Sequence, residues 1–188
     1  CYPKRPRFYR KAQVAFFMHK RNNIFLIGLM GTGKTTVGRQ LSRKLKMDFY
    51  DSDRVIEART CADIPLIFEK EGEAGFRKRE CDIIDELTQK KNIILATGGG
   101  AVLNSENRNH LINRGTVFYL KSNLKTLIDR TSKDKNRPLL HADEPAEDIL
   151  RRLLEERGPL YEATADYTIE TANNSIHSVI QAIIKSLK

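Results

Sequence analysis

The sequence predicts an α/β fold in which a five-stranded parallel sheet is sandwiched between helices. Three observations lead there. After residue 22, short apolar runs alternate with stretches of helical periodicity. The runs at 23–27 and 93–97 are rich in Ile, Leu, Phe and Ala, as strands covered on both faces are. The first of them passes into a glycine-rich turn, and apolar residues then recur at helical spacing, Val37, Leu41 and Leu45.

That turn carries the clearest chemistry. Residues 28–36 read Gly-Leu-Met-Gly-Thr-Gly-Lys-Thr-Thr, a full G-x-x-x-x-G-K-[ST] pattern with Gly28, Gly33, Lys34 and Thr35 in the required places. Glycines let the backbone curl until successive N–H groups point at phosphate oxygens. The Lys34 ammonium can reach the β- and γ-phosphates, and the Thr35 hydroxyl suits Mg²⁺. Strand, turn and helix in this order put a helix N-terminus under the phosphates. A glycine turn with a surface lysine would not require that flanking pattern.

The other elements follow in sequence. Residues 47–51 read as a second strand and 52–59 as a helix. Two helical segments are expected over 63–90, broken near Gly72–Gly75. The third strand runs into Gly98-Gly99-Gly100. Residues 104–113 predict a helix closed by Gly115, 116–120 a fourth strand and 124–131 another helix. The polar stretch 132–143, containing Arg137, reads as a mobile loop. Acids at Glu144, Glu147 and Asp148 with Pro145 mark a helix start; Arg151, Arg152 and Arg157 lie toward its end, and Gly158-Pro159 predicts its stop. Residues 167–169 form a weak fifth strand. Ile176, Val179, Ile180, Ile183, Ile184 and Leu187 make a helical apolar stripe expected to pack in the core.

With 188 residues the chain has room for one domain with a substantial core. Its net charge of +9 is unevenly placed. Residues 1–21 hold seven bases and no acid, leaving 26 bases against 24 acids elsewhere. A basic groove for nucleic acid is therefore not expected. The basic head, 1–21, reads as disordered or an artefact, with residues 1–17 a disordered tail or a product of upstream translation and Met18 a plausible natural start. Its apolar stretch is too short to span a membrane. Three cysteines without metal-ligand spacing fit a reducing cytoplasm. The four histidines are scattered and receive no role.

Ligands of parallel sheets bind beyond the carboxyl ends of the strands. Here those ends are Gly28, Asp51 and Gly98. In Asp51-Ser52-Asp53, one carboxylate could hold Mg²⁺ through water and the other could orient an attacking hydroxyl, or the segment could be an Asx turn and helix cap. The third strand lacks a terminal aspartate, which favours Asp51 for the metal. Gly98, Gly99 and Gly100 suit close approach of a ligand to the backbone rather than a floppy turn. Arg77 and Arg157 could fork onto a carboxylate or phosphate, whereas Lys78 and Arg79 fit a solvated face and Arg157 could instead complement a helix end. Arg137 could close over ATP or remain solvated. These residues together predict a small Mg-ATP phosphotransferase with a small, hydroxylated, anionic acceptor.

The same residues resemble the shikimate kinases, P-loop NTPase-fold enzymes of the nucleoside-monophosphate-kinase-like group. The resemblance covers about residues 22–188. It rests on the 28–36 loop, Phe49-Tyr50-Asp51-Ser52-Asp53, Gly75-Phe76-Arg77-x-x-Glu80, Ala96-Thr97-Gly-Gly-Gly, Arg137-Pro-Leu-Leu and Arg157-x-x-Leu160-Tyr161. It implies transfer of the ATP γ-phosphate to the 3-hydroxyl of shikimate, giving shikimate 3-phosphate for chorismate and aromatic amino-acid synthesis. By the resemblance Gly31, Thr32, Gly33, Lys34, Thr35 and Thr36 hold ATP, and Thr35 and Asp51 serve Mg²⁺. Asp53 binds the acceptor hydroxyls and acts as base or orienter. Arg77 and Arg157 clamp the carboxylate, Glu80 orients Arg77, and Gly98, Gly99 and Gly100 line the acceptor. Lys34, Asp53 and the lid residue Arg137 would be catalytic. A single kinase domain over 22–188, with its lid near 132–143, a cytoplasmic setting and a monomeric state are also implied, without nucleic acid or membrane. Two other readings share features: a kinase of the same group acting on a nucleoside monophosphate or gluconate-like acid, and a nucleotide-dependent module binding nucleic acid through the basic head.

Overall fold

The computed structural model describes residues 22–132 and 144–187. Five strands, β1 (Ile24–Ile27), β2 (Asp48–Asp51), β3 (Ile93–Ala96), β4 (Thr116–Lys121) and β5 (Tyr167–Glu170), pair in the order β2-β3-β1-β4-β5. Every pairing is parallel. Seven α-helices lie among the described residues: α1 (Lys34–Leu45), α2 (Ser52–Thr60), α3 (Ile64–Gln89), α4 (Ser105–Arg114), α5 (Leu124–Thr131), α6 (Ala146–Thr164) and α7 (Ile176–Ser186).

Strand alternation separates two cores. Phe25 and Ile27 of β1, Ile93 and Leu95 of β3, and Val117 and Tyr119 of β4 face one side. They meet Ile56 of α2, Phe76, Ile84 and Leu87 of α3, Leu111 of α4, Leu127 of α5 and Leu150 of α6. The alternate residues Ile24, Leu26, Ile94, Phe118 and Leu120 face Val37 and Leu41 of α1 and Val179, Ile180 and Ile183 of α7. The central strands β1 and β3 are buried throughout, which explains their unbroken apolar sequence. β5 is an exposed edge, and its weak pattern follows from that.

The lower end of the sheet is tied by Asn23. Its side chain is buried, with Oδ1 accepting from the Ile93 N–H at 3.2 Å and Nδ2 donating to the Lys90 carbonyl at 2.7 Å. Its backbone carbonyl accepts from Thr116 N–H at 2.9 Å. One residue thus aligns the starts of β1, β3 and β4, and with them the opposite ends, where the polar motifs lie.

The broken helix expected over 63–90 is observed. Gly72 has φ 69° and ψ −179°, a left-handed φ that interrupts α3 in a way glycine tolerates. Two expectations are corrected. Gly158-Pro159 does not end α6, which continues to Thr164 with Pro159 inside it. Pro159 is exposed, so the carbonyl it leaves unpaired can turn to water, while beyond it Tyr161 is fully buried and stacks on Tyr119 at 5.0 Å. Tertiary packing overrides the local stop signal. The apolar stripe of α7 is also shorter than its sequence period: Ile176 and Leu187 are both 40% exposed, beyond the packed middle of the helix. The head at 1–21 and residues 133–143, Arg137 among them, lie outside the described residues.

Packing yields a prediction at Gly115. A Cβ there would lie 2.6 Å from the buried Phe25 ring and 2.8 Å from the Asn23 carbonyl oxygen. Gly115→Ala should therefore lower stability by about 1–3 kcal/mol, the scale of overpacking. Chemical unfolding checks this; an unchanged midpoint would show that the Asn23 region can yield.

Candidate active site

The phosphate loop joins β1 to α1. Gly28, Gly31 and Gly33 have φ of 141°, 79° and 91°, values an L side chain adopts only with strain. Gly28 is also hemmed in, since a Cβ would lie 2.6 Å from the Leu120 carbonyl oxygen of β4. Gly33 caps α1 without a side-chain hydrogen bond, so no capping side chain takes up the first-turn amides, the arrangement that suits an anion at a helix N-terminus. Thr32 is buried and its hydroxyl donates to the Leu29 carbonyl at 2.8 Å, bracing the loop. Lys34 Nζ donates to the carbonyls of Gly28 and Leu29 at 2.8 and 3.0 Å. The ammonium therefore lies along the glycine-rich loop.

Asp51 serves two ends at once. As the cap of α2 its Oδ1 accepts from the Arg54 N–H at 3.4 Å. Its Oδ2 accepts from the Thr35 hydroxyl at 2.6 Å. Metal-site and helix-cap readings of Asp51 are thus compatible. A hydroxyl and a carboxylate side by side offer the hard oxygens that suit Mg²⁺, which usually completes its shell with water and phosphate. Among the described residues there is no cluster of three or more His, Cys, Asp or Glu side chains able to hold a metal.

Beside the loop, the end of β3 meets α2, α3 and α6. Asp53 lies on the first turn of α2, and one of its oxygens, Oδ1, is buried without a hydrogen-bond partner. Burial, then the charges of Glu80 and Asp51, push its carboxyl up to about 7, although the Lys34 charge acts the other way. Glu80 of α3 is 1% exposed. Its Oε2 accepts from Arg77 Nη1 at 2.7 Å, while its Oε1 has no partner. Burial raises the Glu80 pKa, and the charges of Arg77 and Arg157 counter that rise. Arg157 of α6 is 5% exposed with an unpartnered Nε, so it does not merely complement a helix end. Lys78 and Arg79 are exposed, as expected; Arg79 pairs with Glu71 at 2.7 Å.

The glycine triplet fits among these charges. A Cβ at Gly98 would sit 2.6 Å from both Asp53 Oδ1 and Glu80 Oε1. One at Gly100 would overlap the Arg77 guanidinium. Gly99 lies against the phosphate loop, with the Met30 amide nitrogen 3.4 Å from where its Cβ would be. Crowding therefore requires glycine at 98 and 100, whereas a Cβ at 99 would make ordinary contact, and the Gly98 N–H is held by the Ser52 hydroxyl at 2.9 Å. Tyr161, one turn beyond Arg157, donates its hydroxyl to the Gly99 carbonyl. Burial raises the Tyr161 pKa, keeping the phenol a donor, although the Arg157 charge opposes the shift. Tyr161 was visible in sequence only as part of a motif; its hydrogen bond depends on a contact 62 residues apart.

The structure thus brings Lys34, Thr35, Asp51, Asp53, Arg77, Gly98, Gly99, Gly100 and Arg157 to one end of the sheet. Arg137 lies outside the described residues. The arrangement juxtaposes an anion-binding helix end, a carboxylate able to titrate near neutrality and two arginines, a set suited to moving a phosphoryl group onto an anionic alcohol.

Comparison with known proteins agrees. A family model described as Shikimate kinase matches residues 30–188. A shikimate kinase of Vibrio parahaemolyticus is 52% identical over 171 residues, covering 91% of this chain and 99% of that protein. The solved shikimate kinase of Acinetobacter baumannii in complex with shikimate is 48% identical, with a TM-score of 0.86 over 92% of this chain and 96% of its own. A gluconokinase from Sinorhizobium meliloti, 12% identical with a TM-score of 0.55 over 89% of this chain and 92% of its own, shares the fold alone. On this sequence and structural similarity, the chain belongs to the shikimate kinase family.

Proposed function

We propose that the chain transfers the γ-phosphoryl group of ATP to the 3-hydroxyl of shikimate, yielding ADP and shikimate 3-phosphate for chorismate and aromatic amino-acid synthesis. The observation that carries this reading is the pair of buried carboxylates, Asp53 and Glu80, set with Arg77 and Arg157 beside the phosphate loop. A carboxylated, hydroxylated ring meets that chemistry at both ends.

In this reading the amides of Gly31 to Thr36 hold the phosphates and Lys34 stabilises charge on the transferring group. Thr35 and Asp51 would hold Mg²⁺, which when bound neutralises phosphate charge. Asp53 receives the acceptor hydroxyl and its proton. The new bond joins that oxygen to the γ-phosphorus, and the bond from phosphorus to the β–γ bridging oxygen breaks, leaving ADP. Arg77 and Arg157 fork onto the acceptor carboxylate. Tyr161 fixes the peptide plane at Gly99 against which the acceptor rests. Arg137 would close over ATP as part of a lid near 132–143. Among the described residues no helix is long and apolar enough to cross a membrane. The reaction needs one copy of the chain and no nucleic acid, so a monomeric kinase domain over 22–188 in the cytoplasm is the setting we infer.

ADP release with shikimate, AMP and gluconate at equal concentration tests the substrate. Shikimate should be turned over and the others left; AMP turnover at an equal rate would overturn the assignment. Lys34→Met should nearly abolish turnover in a folded protein, and retained activity would sink the role of the loop.

The raised Asp53 pKa has two consequences. The pH profile of kcat/KM, which reports the free enzyme, should lose activity below about pH 7, and Asp53→Asn should cut turnover by roughly 10²-fold or more. For stability, the unfolded carboxyl titrates near 3.8 and the folded one near 7. The native state binds the extra proton between these values, so stability falls as pH rises across that window. Asp53→Asn should therefore melt higher than the parent at pH 8, with the gap closing toward pH 4. Equal melting curves at pH 8 would show that the carboxylate is not strained there.

Tyr161→Phe keeps the stacked ring and removes the bond to Gly99. The KM for shikimate should rise roughly tenfold, about the value of one hydrogen bond, with the KM for ATP unchanged. A parallel rise in both would argue for general loosening.

A further inference from the structure

Arg77 carries two carboxylates, and they hold it differently. Its Nη1 donates to buried Glu80 at 2.7 Å. Its Nε and Nη2 both donate to a single oxygen, Oε1 of Glu73, at 3.3 and 3.1 Å. Glu73 lies one turn earlier on α3, directly after the Gly72 break, and its side chain is 62% exposed. The first contact is short and shielded from water. The second is long, shares one acceptor between two donors and faces solvent.

The geometry of the guanidinium makes this asymmetry matter. A Cβ at Gly100 would overlap Nη1, Nη2 and Cζ, so the backbone of the glycine triplet covers that end of the group. Glu80 takes Nη1, and the Phe76 ring centroid lies 5.3 Å from Cζ. The Nε/Nη2 edge is the one able to present two parallel N–H groups to an incoming carboxylate. Glu73 sits on that edge.

We propose that Glu73 is an internal competitor for the acceptor carboxylate: it occupies the Nε/Nη2 edge of Arg77, and the acceptor displaces it. This rests on the reading of Arg77 as a carboxylate clamp. An acceptor offering two oxygens replaces a shared, solvent-facing contact with a bidentate one, and the released Glu73 is hydrated at little cost. An acceptor without a carboxylate gains nothing by displacing Glu73. The competitor therefore sets a threshold that only an anionic fork passes, and Glu73 acts as a specificity-determining residue through Arg77.

Calorimetric titration of shikimate into the full chain, without nucleotide, tests this. Glu73→Gln keeps length and helix propensity and removes the competing charge. Its shikimate Kd should fall about two- to fivefold, the scale of a lost solvent-exposed ion pair. The methyl ester of shikimate should show no such gain. In an Arg77→Lys background, Glu73→Gln should also give no gain, because the fork is gone. An unchanged or weaker Kd for Glu73→Gln, with Arg77→Lys still weakening shikimate binding, would overturn the competitor while leaving the clamp intact. Arg77→Lys with unchanged affinity would overturn the clamp itself. A circular dichroism melt matching the parent's checks that Glu73→Gln is folded; if it is not, Glu73→Ala is read in the same titration against the same outcomes.

Discussion

A buried carboxylate held by arginine is the constraint on which the charged cluster beside the phosphate loop depends. Glu80 sits almost wholly out of water, and removing a charge from water costs several kcal/mol unless a partner compensates. Arg77 supplies that partner through a 2.7 Å hydrogen bond, and the Arg157 charge adds to it. Once these charges are fixed, little freedom remains around them. Gly98 must lack a side chain because Asp53 and Glu80 flank it, and Gly100 must lack one because Arg77 lies across it. The strand end, the kinked helix α3 and the long helix α6 are thereby brought together around one electrostatic cluster.

The same cluster explains why Asp53 differs from its neighbour Asp51. The two are separated by one residue, but both oxygens of Asp51 are spent, one on a helix cap and one on the Thr35 hydroxyl. Asp53 has an oxygen with no partner, beside Glu80. Two carboxylates one residue apart thus stand in unlike surroundings, one fully hydrogen-bonded and one with a buried oxygen left over. Lys34 couples the two halves of the site, since its charge tempers the rise at Asp53 while its position follows the phosphate loop.

The phosphate loop was legible in the sequence because its chemistry is contiguous: the turn, the lysine and the hydroxyl all fall within nine residues, between a strand and a helix. The Gly72 break was legible for the same local reason. What the sequence hid was mutual dependence over distance. Asn23 looks like the polar start of a strand, yet its side chain binds the chain near residue 90. The glycine triplet invited a ligand-based explanation, and the crowding by Asp53, Glu80 and Arg77 emerged only from the fold. Pro159 misled because a local rule met a stronger tertiary demand at Tyr161. Glu73 offered no signal beyond an ordinary i,i+4 charge pair, and its sharing of Arg77 with the buried Glu80 emerged only from the fold.

The dependence of the cluster on the Arg77–Glu80 pair can be measured most directly by a double-mutant cycle in urea unfolding. The variants are Arg77→Met, Glu80→Gln and the two together. If Arg77 compensates a buried Glu80 charge, Arg77→Met alone should be strongly destabilised, by about 3–5 kcal/mol. Adding Glu80→Gln should recover a large part of that loss, giving a coupling well above the roughly 0.5 kcal/mol scatter of independent sites. Losses that simply add would contradict the account, because they would mean that Glu80 holds its place without the arginine.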